Sequence, residues 1–121
     1  MASVKPTITR LGDNAVRLDF ALTAADSDGF PIGKHWIDYA DRTVQITGSL
    51  NGGSVAIQGS NDGNNWFTLD DPQGVDLTFS ALGGKAIAEI PAFVRPLLSG
   101  GAAPVVTASF TMRRARSGMQ R

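Results

Sequence analysis

The chain has 121 residues, which is enough for one folded domain and too few for two. It contains no cysteine, so disulfides, thiolate metal sites and cysteine catalysis are excluded. Eleven Lys and Arg residues balance eleven Asp and Glu residues, and this neutral charge excludes the overall basic surface of a typical nucleic-acid-binding domain.

No targeting segment is visible in the sequence. No stretch approaches the ~18 apolar residues that a membrane helix needs, and residues 1–16 lack the apolar core of a signal peptide. A start at Met1 is what we expect of an intact gene product, and the absence of cysteine is typical of assembly in a reducing cytoplasm. We therefore expect no membrane partner.

The first third of the chain predicts two strands and one ambiguous segment. "TIT" at Thr7–Thr9 has the composition of a short strand, and "AVRLDFAL" at Ala15–Leu22 alternates apolar and polar residues with period two. "AADSDGFPIG" then breaks the pattern with Asp, Gly and Pro residues. "KHWIDYAD" is too short for a full helix and alternates too poorly for a strand, so we allow one helical turn near His35.

The clearest strand pattern lies in the middle of the chain. "RTVQITGSL" alternates strictly, "NGG" supplies residues that accept a positive φ, and "SVAIQG" resumes the alternation. Two such strands joined by such a turn predict a β-hairpin. The predicted inward residues of the two strands are Val44, Ile46, Gly48, Leu50, Val55 and Ile57.

Short strands separated by turns continue to the C-terminus. "WFTL" follows "SNDGNN", and "DDPQG" leads into "VDLTF", where Val75, Leu77 and Phe79 share one side. "KAIAEI" is apolar enough for a further strand, with a helical turn as the alternative because of its alanines. "PAFVRPLL" carries two prolines and is predicted as an edge strand, and "VVTASFTMRR" is predicted as a long final strand. Strands at intervals of about 8 to 12 residues predict a single all-β sandwich, jelly-roll-like, with roughly eight antiparallel strands.

The chain divides into an N-terminal arm at 1–12, a β-sandwich domain at 13–112 and a basic C-terminal tail at 113–121. The tail contains four arginines and no acidic residue, so the rest of the chain is acidic by four charges. This asymmetry favours contact with an acidic surface. A specific nucleic-acid site is not expected, because no aromatic residues are interleaved with the arginines. The predicted partner-binding residues are Arg113, Arg114, Arg116, Lys5 and Arg10.

The segment "QGSNDGNNW" is the first candidate for a ligand site. Its Asn, Asp and Gly residues make side-chain turns or accept left-handed backbone, so we favour a structural turn in which Trp66 covers the end of the core. A calcium loop of the EF-hand type would need a bidentate Glu at its end, and none follows. A glycan site is the alternative interpretation, and its residues are Trp66, Asn61, Asp62 and Asn64.

No other group of residues forms a catalytic or metal-binding pattern. "DSDG" at Asp26–Gly29 has two carboxylates but no third acidic ligand nearby, which favours a solvated loop. His35 is the single histidine and cannot make a typical zinc site without cysteines. Glu89, the single glutamate, is predicted to pair across strands with Lys85 or Arg95. We expect no enzyme activity, no metal and no cofactor.

Several of these segments together resemble small structural proteins encoded beside the capsid genes of tailed bacteriophages. The resemblance runs from Asp41 onward, about two-thirds of the chain. It rests on the strand–glycine turn–strand "RTVQITGSLNGGSVAIQ", the corner "QGSNDGNNW", the turn "DPQG" and the approach "FVRPLLSGG" to the final strand. Residues 1–40 carry no match to this family.

The resemblance implies a capsid decoration, or cement, protein. Such proteins are β-sandwich or jelly-roll modules that form dimers or trimers on the outer shell, bind the major capsid protein, bridge its subunits and stabilise it without an active site. We therefore expect a virion protein on the outer capsid surface, made in the host cytoplasm and acting as a homodimer or homotrimer. The alternative function is a carbohydrate-binding β-sandwich module, which the corner "GSNDGNNW" also resembles.

Overall fold

The structure is a computed structural model that describes residues 3–114, apart from the side chain of Lys34. It contains nine strands and a single-turn 3₁₀ helix at Lys34–Trp36. The strands are β1 (Thr7–Arg10), β2 (Ala15–Thr23), β3 (Asp41–Ser49), β4 (Gly53–Ser60), β5 (Phe67–Thr68), β6 (Thr78–Phe79), β7 (Gly83–Ile87), β8 (Phe93–Gly100) and β9 (Val105–Arg113).

The strands form two antiparallel sheets. The larger sheet has the order β1–β2–β9–β3–β7, so its two outermost strands are β1 and β7. In the smaller sheet β4 pairs with β8 on one side and with the short strands β5 and β6 on the other. The predicted all-β sandwich is therefore confirmed, with nine strands where about eight were expected, and the helical turn lies at His35.

Alternation along the long strands builds the core between the two sheets. In β2 the residues Val16, Leu18, Phe20 and Leu22 are at most 1% exposed, whereas Arg17 between them is exposed. β9 alternates in the same way, and β4 supplies apolar side chains from the opposite sheet. Because side chains of a strand alternate between the two faces of its sheet, one face of each sheet can enter the core.

The predicted hairpin between the two central strands is wrong. β3 pairs with β7 and β9 in the larger sheet, whereas β4 belongs to the smaller one. The N–H of Gly53 donates to the carbonyl of Leu50 at 2.8 Å, and this tight turn carries the chain from one sheet to the other. Alternating residues with a glycine turn describe a hairpin and a crossing between sheets equally well, because both bury the same face of each strand.

Three smaller features also refine the predictions. Val75 is 52% exposed and does not share the buried side of Leu77 and Phe79, because the pairing of β6 begins only at Thr78. β8 lies at the edge of the smaller sheet, as the prolines of this segment predict. Isolated bridges from Asp28 and Ile32, in the loop before β3, pair with the edge of β8 that faces away from β4. Within the predicted N-terminal arm, β1 and Val4 pair with the sandwich itself.

Among residues 3–114 there is no helix long and apolar enough to cross a membrane.

Candidate protein-docking surfaces

The corner "SNDGNN" is a closed turn organised by one carboxylate. Oδ1 of Asp62 accepts hydrogen bonds from the backbone N–H groups of Asn64 and Asn65, each at 2.8 Å, and from the hydroxyl of Ser60 at 2.9 Å. Oδ2 accepts a bond from Nδ2 of Asn65 at 2.7 Å. These bonds, with that from the Asn65 N–H first, hold the pKa of Asp62 well below its usual range. Both carboxylate oxygens of Asp62 are therefore bonded within the turn.

We expect Asp62→Asn to destabilise the protein at neutral pH and to lose this effect in acid. The pKa of Asp62 is lowered in the folded state. Its contribution to the free energy of unfolding is therefore complete above the ordinary aspartate pKa of about 3.9 and is lost as the pH falls below that value. Urea unfolding of both proteins at pH 7 and in acid checks this.

The control for this prediction is Asp26→Asn. Asp26 is exposed, and its hydrogen bonds in the described structure use its backbone alone. This variant should match the wild-type protein at both pH values. If Asp62→Asn lowers the free energy of unfolding by the same amount at neutral and acid pH, the electrostatic account of the turn is contradicted.

Trp66 does not cover the end of the core, contrary to the prediction. It is half-buried and precedes β5, and it lies outside the core cluster, whereas Leu69 is the fully buried residue of this segment. The guanidinium of Arg95 lies 4.1 Å from the Trp66 ring centroid, and its Nε donates to Oε1 of Gln58 at 2.9 Å. This cation–π contact covers one face of the ring. Of the other predicted glycan residues, Asn61 accepts a long hydrogen bond of 3.4 Å from the N–H of Ala92 through its Oδ1.

The cluster "HWIDY" is a structural turn whose rings and carbonyl groups are contacted by arginine side chains. The rings of Trp36 and Tyr39 meet edge to face at 5.2 Å. Arg42 is only 5% exposed and bonds the backbone of the turn. Its Nε donates to the Tyr39 carbonyl at 2.8 Å, and its Nη2 donates to the Trp36 carbonyl at 3.0 Å. Burial lowers the pKa of Arg42. His35 is exposed at the start of this turn, and its ring meets that of Trp36 edge to face at 4.9 Å.

Two of the predicted partner-binding residues meet at Tyr39, although they are about a hundred positions apart in sequence. Nη1 of Arg10 donates to the Tyr39 hydroxyl at 3.3 Å, and the guanidinium of Arg114 lies 5.0 Å from the Tyr39 ring centroid. The ion pairs between described side chains, Arg17–Asp19 and Lys85–Asp71, include neither Arg10 nor Arg114.

An apolar groove with a volume of about 680 Å³ runs beside β1. It is lined by Ile8 and by aromatic side chains that include Phe30 and Trp36. Nζ of Lys5 lies 6.0 Å from the Phe30 ring centroid, and the guanidinium of Arg10 lies 5.9 Å from that of Trp36. We call Lys5, Ile8, Arg10 and Phe30 the basic edge of the molecule.

The outer face of the larger sheet is a broad polar surface. Cross-strand pairing sets outward-facing, mostly polar residues side by side in two rows that each span all five strands. One row is Thr9, Arg17, Thr111, Thr43 and Ala86, and the other is Thr7, Asp19, Ser109, Gln45 and Gly84.

Two shallow depressions mark this outer face. The first has a volume of about 390 Å³ and follows the hydroxyl side chains of β9. The second has a volume of about 560 Å³, shares Thr43 and Thr111 with the first, and reaches the predicted partner-binding residue Arg113. The fifth predicted residue, Arg116, lies outside the described part of the chain.

An acidic surface that sequence reasoning missed lies beside β7, and we call Asp70, Val75, Asp76, Glu89 and Ile90 the acidic edge. Oε1 of Glu89 accepts a hydrogen bond from the backbone N–H of Asp70 at 2.5 Å, and Asp70 and Asp76 pair in an isolated antiparallel bridge. Interaction with the Asp76 side chain, together with burial and with repulsion from Glu89, raises the pKa of Asp70. Glu89 is 19 positions from Asp70 in the sequence, so only the fold shows that Glu89 joins the two aspartates.

The predicted partners of Glu89 are wrong. Nζ of Lys85 instead lies 3.5 Å from Oδ2 of Asp71, and Arg95 stacks on Trp66. Neither this acidic edge nor the "DSDG" loop forms a group of at least three acidic or histidine residues arranged to hold a metal ion in the described part of the chain.

Comparison with known proteins adds no relative. No family model matches the chain, and neither the curated proteins nor the solved structures contain a match. The likeness to phage decoration proteins therefore rests on the sequence segments quoted above.

Proposed function

We propose that this protein is a decoration protein of a tailed bacteriophage, which binds the outer capsid shell and stabilises it by bridging subunits of the major capsid protein. The observation that carries the proposal is the outer face of the larger sheet. It is five strands wide, polar and shallowly indented, and it ends at Arg113. Such a face fits a broad and gently contoured protein surface better than it fits a small ligand.

The chemistry of this face agrees with a polar protein partner, because Arg17 and Arg113 lie on it beside Asp19 and Asp41. Arg113 lies at the end of β9 on this face, and Arg114 follows it toward Tyr39. Hydroxyl side chains along β9 offer donors and acceptors without bulk. Each copy makes a contact of modest strength, and many copies on one shell add their contributions.

Co-sedimentation with tailed-phage capsids stripped of their decoration protein tests the proposal. We expect saturable binding at a fixed ratio to the major capsid protein, and decorated capsids that survive more heat or chelator. No co-sedimentation, together with binding on a glycan array that Trp66→Ala abolishes, would move the assignment to a carbohydrate-binding module.

Thr111→Glu should weaken capsid binding by at least about tenfold, because it places a bulky charged side chain at the centre of the outer face, where a close contact would bury it without a partner. Thr111 belongs to both depressions, and its side chain points away from the core between Phe110 and Met112. The measurement is the half-saturating protein concentration in the co-sedimentation assay.

Ser99→Glu is the matched control for this prediction. Ser99 is an exposed hydroxyl residue in β8, on the outer side of the other sheet. Its replacement should leave capsid binding unchanged. Equal losses for the two variants, or none for Thr111→Glu, would show that the shell is bound by a different surface.

A further inference from the structure

The two outermost strands of the larger sheet carry opposite charges. β1 lies at one end of the strand order and borders the basic edge, with Lys5 and Arg10. β7 lies at the other end and borders the acidic edge, with Asp70, Asp76 and Glu89. The sheet therefore separates a positive edge from a negative edge by its full width.

Each edge also exposes large apolar side chains. Ile8 and Phe30 at the basic edge are 53% and 51% exposed, and both line the groove beside β1. Val75 and Ile90 at the acidic edge are 52% and 45% exposed. Apolar side chains that are grouped together among charges of one sign mark a protein contact surface more than single exposed residues do.

Neither set of charges is neutralised within the described molecule. The ion pair beside the acidic edge joins Lys85 to Asp71, and none of the three carboxylates of that edge has an ion pair with a described side chain. Asp70 and Asp76 pair in an isolated bridge and Glu89 bonds the Asp70 N–H, so the three carboxylates are close together and a neighbouring positive charge would reduce their repulsion. Lys5 and Arg10 contact aromatic rings and a hydroxyl group.

We infer that the basic edge of one copy binds the acidic edge of a second copy of this chain, head to tail. The charges are complementary, and each edge offers apolar side chains to cover those of the other. Because the two edges are different surfaces, such a contact leaves one edge of each kind open at the ends of a pair. It therefore continues into a ring or a chain of copies.

This inference deepens the proposed function and rests on it only for the orientation on the shell. A copy whose outer face lies on the capsid directs both edges sideways, toward neighbouring copies in the plane of the shell. Contact between the edges would then link the decoration proteins to one another as well as to the capsid, and the summed binding of the linked copies would exceed that of separate ones.

Analytical ultracentrifugation of two complementary variants, without capsids, tests the inference. The first, Lys5→Glu with Ile8→Glu, disables the basic edge. The second, Val75→Ser with Asp76→Ser, disables the acidic edge. All four positions are exposed, so we expect both variants to keep the fold, which their circular dichroism and unfolding curves check. Wild-type protein should sediment faster as its concentration rises, and this effect should weaken with salt.

Each variant alone should sediment as a monomer at concentrations where the wild type associates, and an equimolar mixture should form a one-to-one dimer and nothing larger. That pattern requires two different surfaces. The inference would be overturned if the wild-type protein were still monomeric at a concentration of about 1 mM, because a self-association with a Kd above that value is negligible. So would two variants that associate like the wild type, or a loss of association confined to one variant.

The outer face supplies the control that separates this inference from the proposed function. Thr111→Glu should associate in solution like the wild type, because Thr111 belongs to neither edge. Capsid binding by a protein that stays monomeric in solution would overturn the head-to-tail contact and leave the decoration function standing. Association without capsid binding would do the reverse.

Discussion

Phe110→Ala should lower the free energy of unfolding by about 3 to 5 kcal/mol, because it removes one of the two largest fully buried side chains and leaves a cavity. Phe110 is 0% exposed and lies in β9, the middle strand of the larger sheet. Its ring meets that of Phe20 in β2 edge to face, with 5.6 Å between centroids and 82° between planes. The aromatic contact adds to the loss of apolar burial.

Urea unfolding followed by tryptophan fluorescence measures this effect, and Phe67→Ala is the control. Phe67 is 43% exposed in the short edge strand β5, so its loss should cost less than about 1 kcal/mol. Similar losses for the two variants would mean that the larger sheet does not pack its inner face around Phe110.

The strands of this fold are visible in the sequence because burial repeats with a short period. β2 and β9 alternate over nine residues each, and a pattern of that length has no other common explanation. Pairing is different, because it depends on which strand lies beside which. Val44 in β3 and Val55 in β4 both face the core, yet they reach it from opposite sheets. Alternation cannot show this.

The candidate surfaces, like the strands, are visible in the sequence only where they depend on local composition and not on strand pairing. Composition points to Lys5, Arg10 and the C-terminal arginines because charge can be counted along the chain. That Arg10 and Arg114 meet at Tyr39 depends on the pairing of β1, β2 and β9, which no local pattern contains. The acidic edge is missed for the same reason: Asp70 and Glu89 come together only when β7 folds beside the segment after β5.

The crossing between the two sheets depends on the close approach of two loops. The turn from β3 to β4 and the turn from β8 to β9 run side by side, and the N–H of Ala102 donates to the carbonyl of Asn51 at 3.0 Å. Gly101 sits where the loops touch, with a φ of 80°. A Cβ at this position would lie 2.6 Å from the backbone nitrogen of Gly53 and 2.9 Å from the carbonyl oxygen of Leu50.

Gly101→Ala should therefore destabilise the protein by about 2 to 5 kcal/mol. About 1 to 2 kcal/mol comes from left-handed backbone at a residue with a Cβ, and about 1 to 3 kcal/mol comes from forcing backbone atoms apart. Gly100→Ala isolates the first part, because Gly100 has a φ of 72° and its added Cβ would meet no atom within 4 Å. Urea unfolding should thus rank the wild type above Gly100→Ala and Gly100→Ala above Gly101→Ala. Equal stability of the two variants would mean that the loops do not touch, and the crossing of β3 and β4 between sheets would then lose its main support.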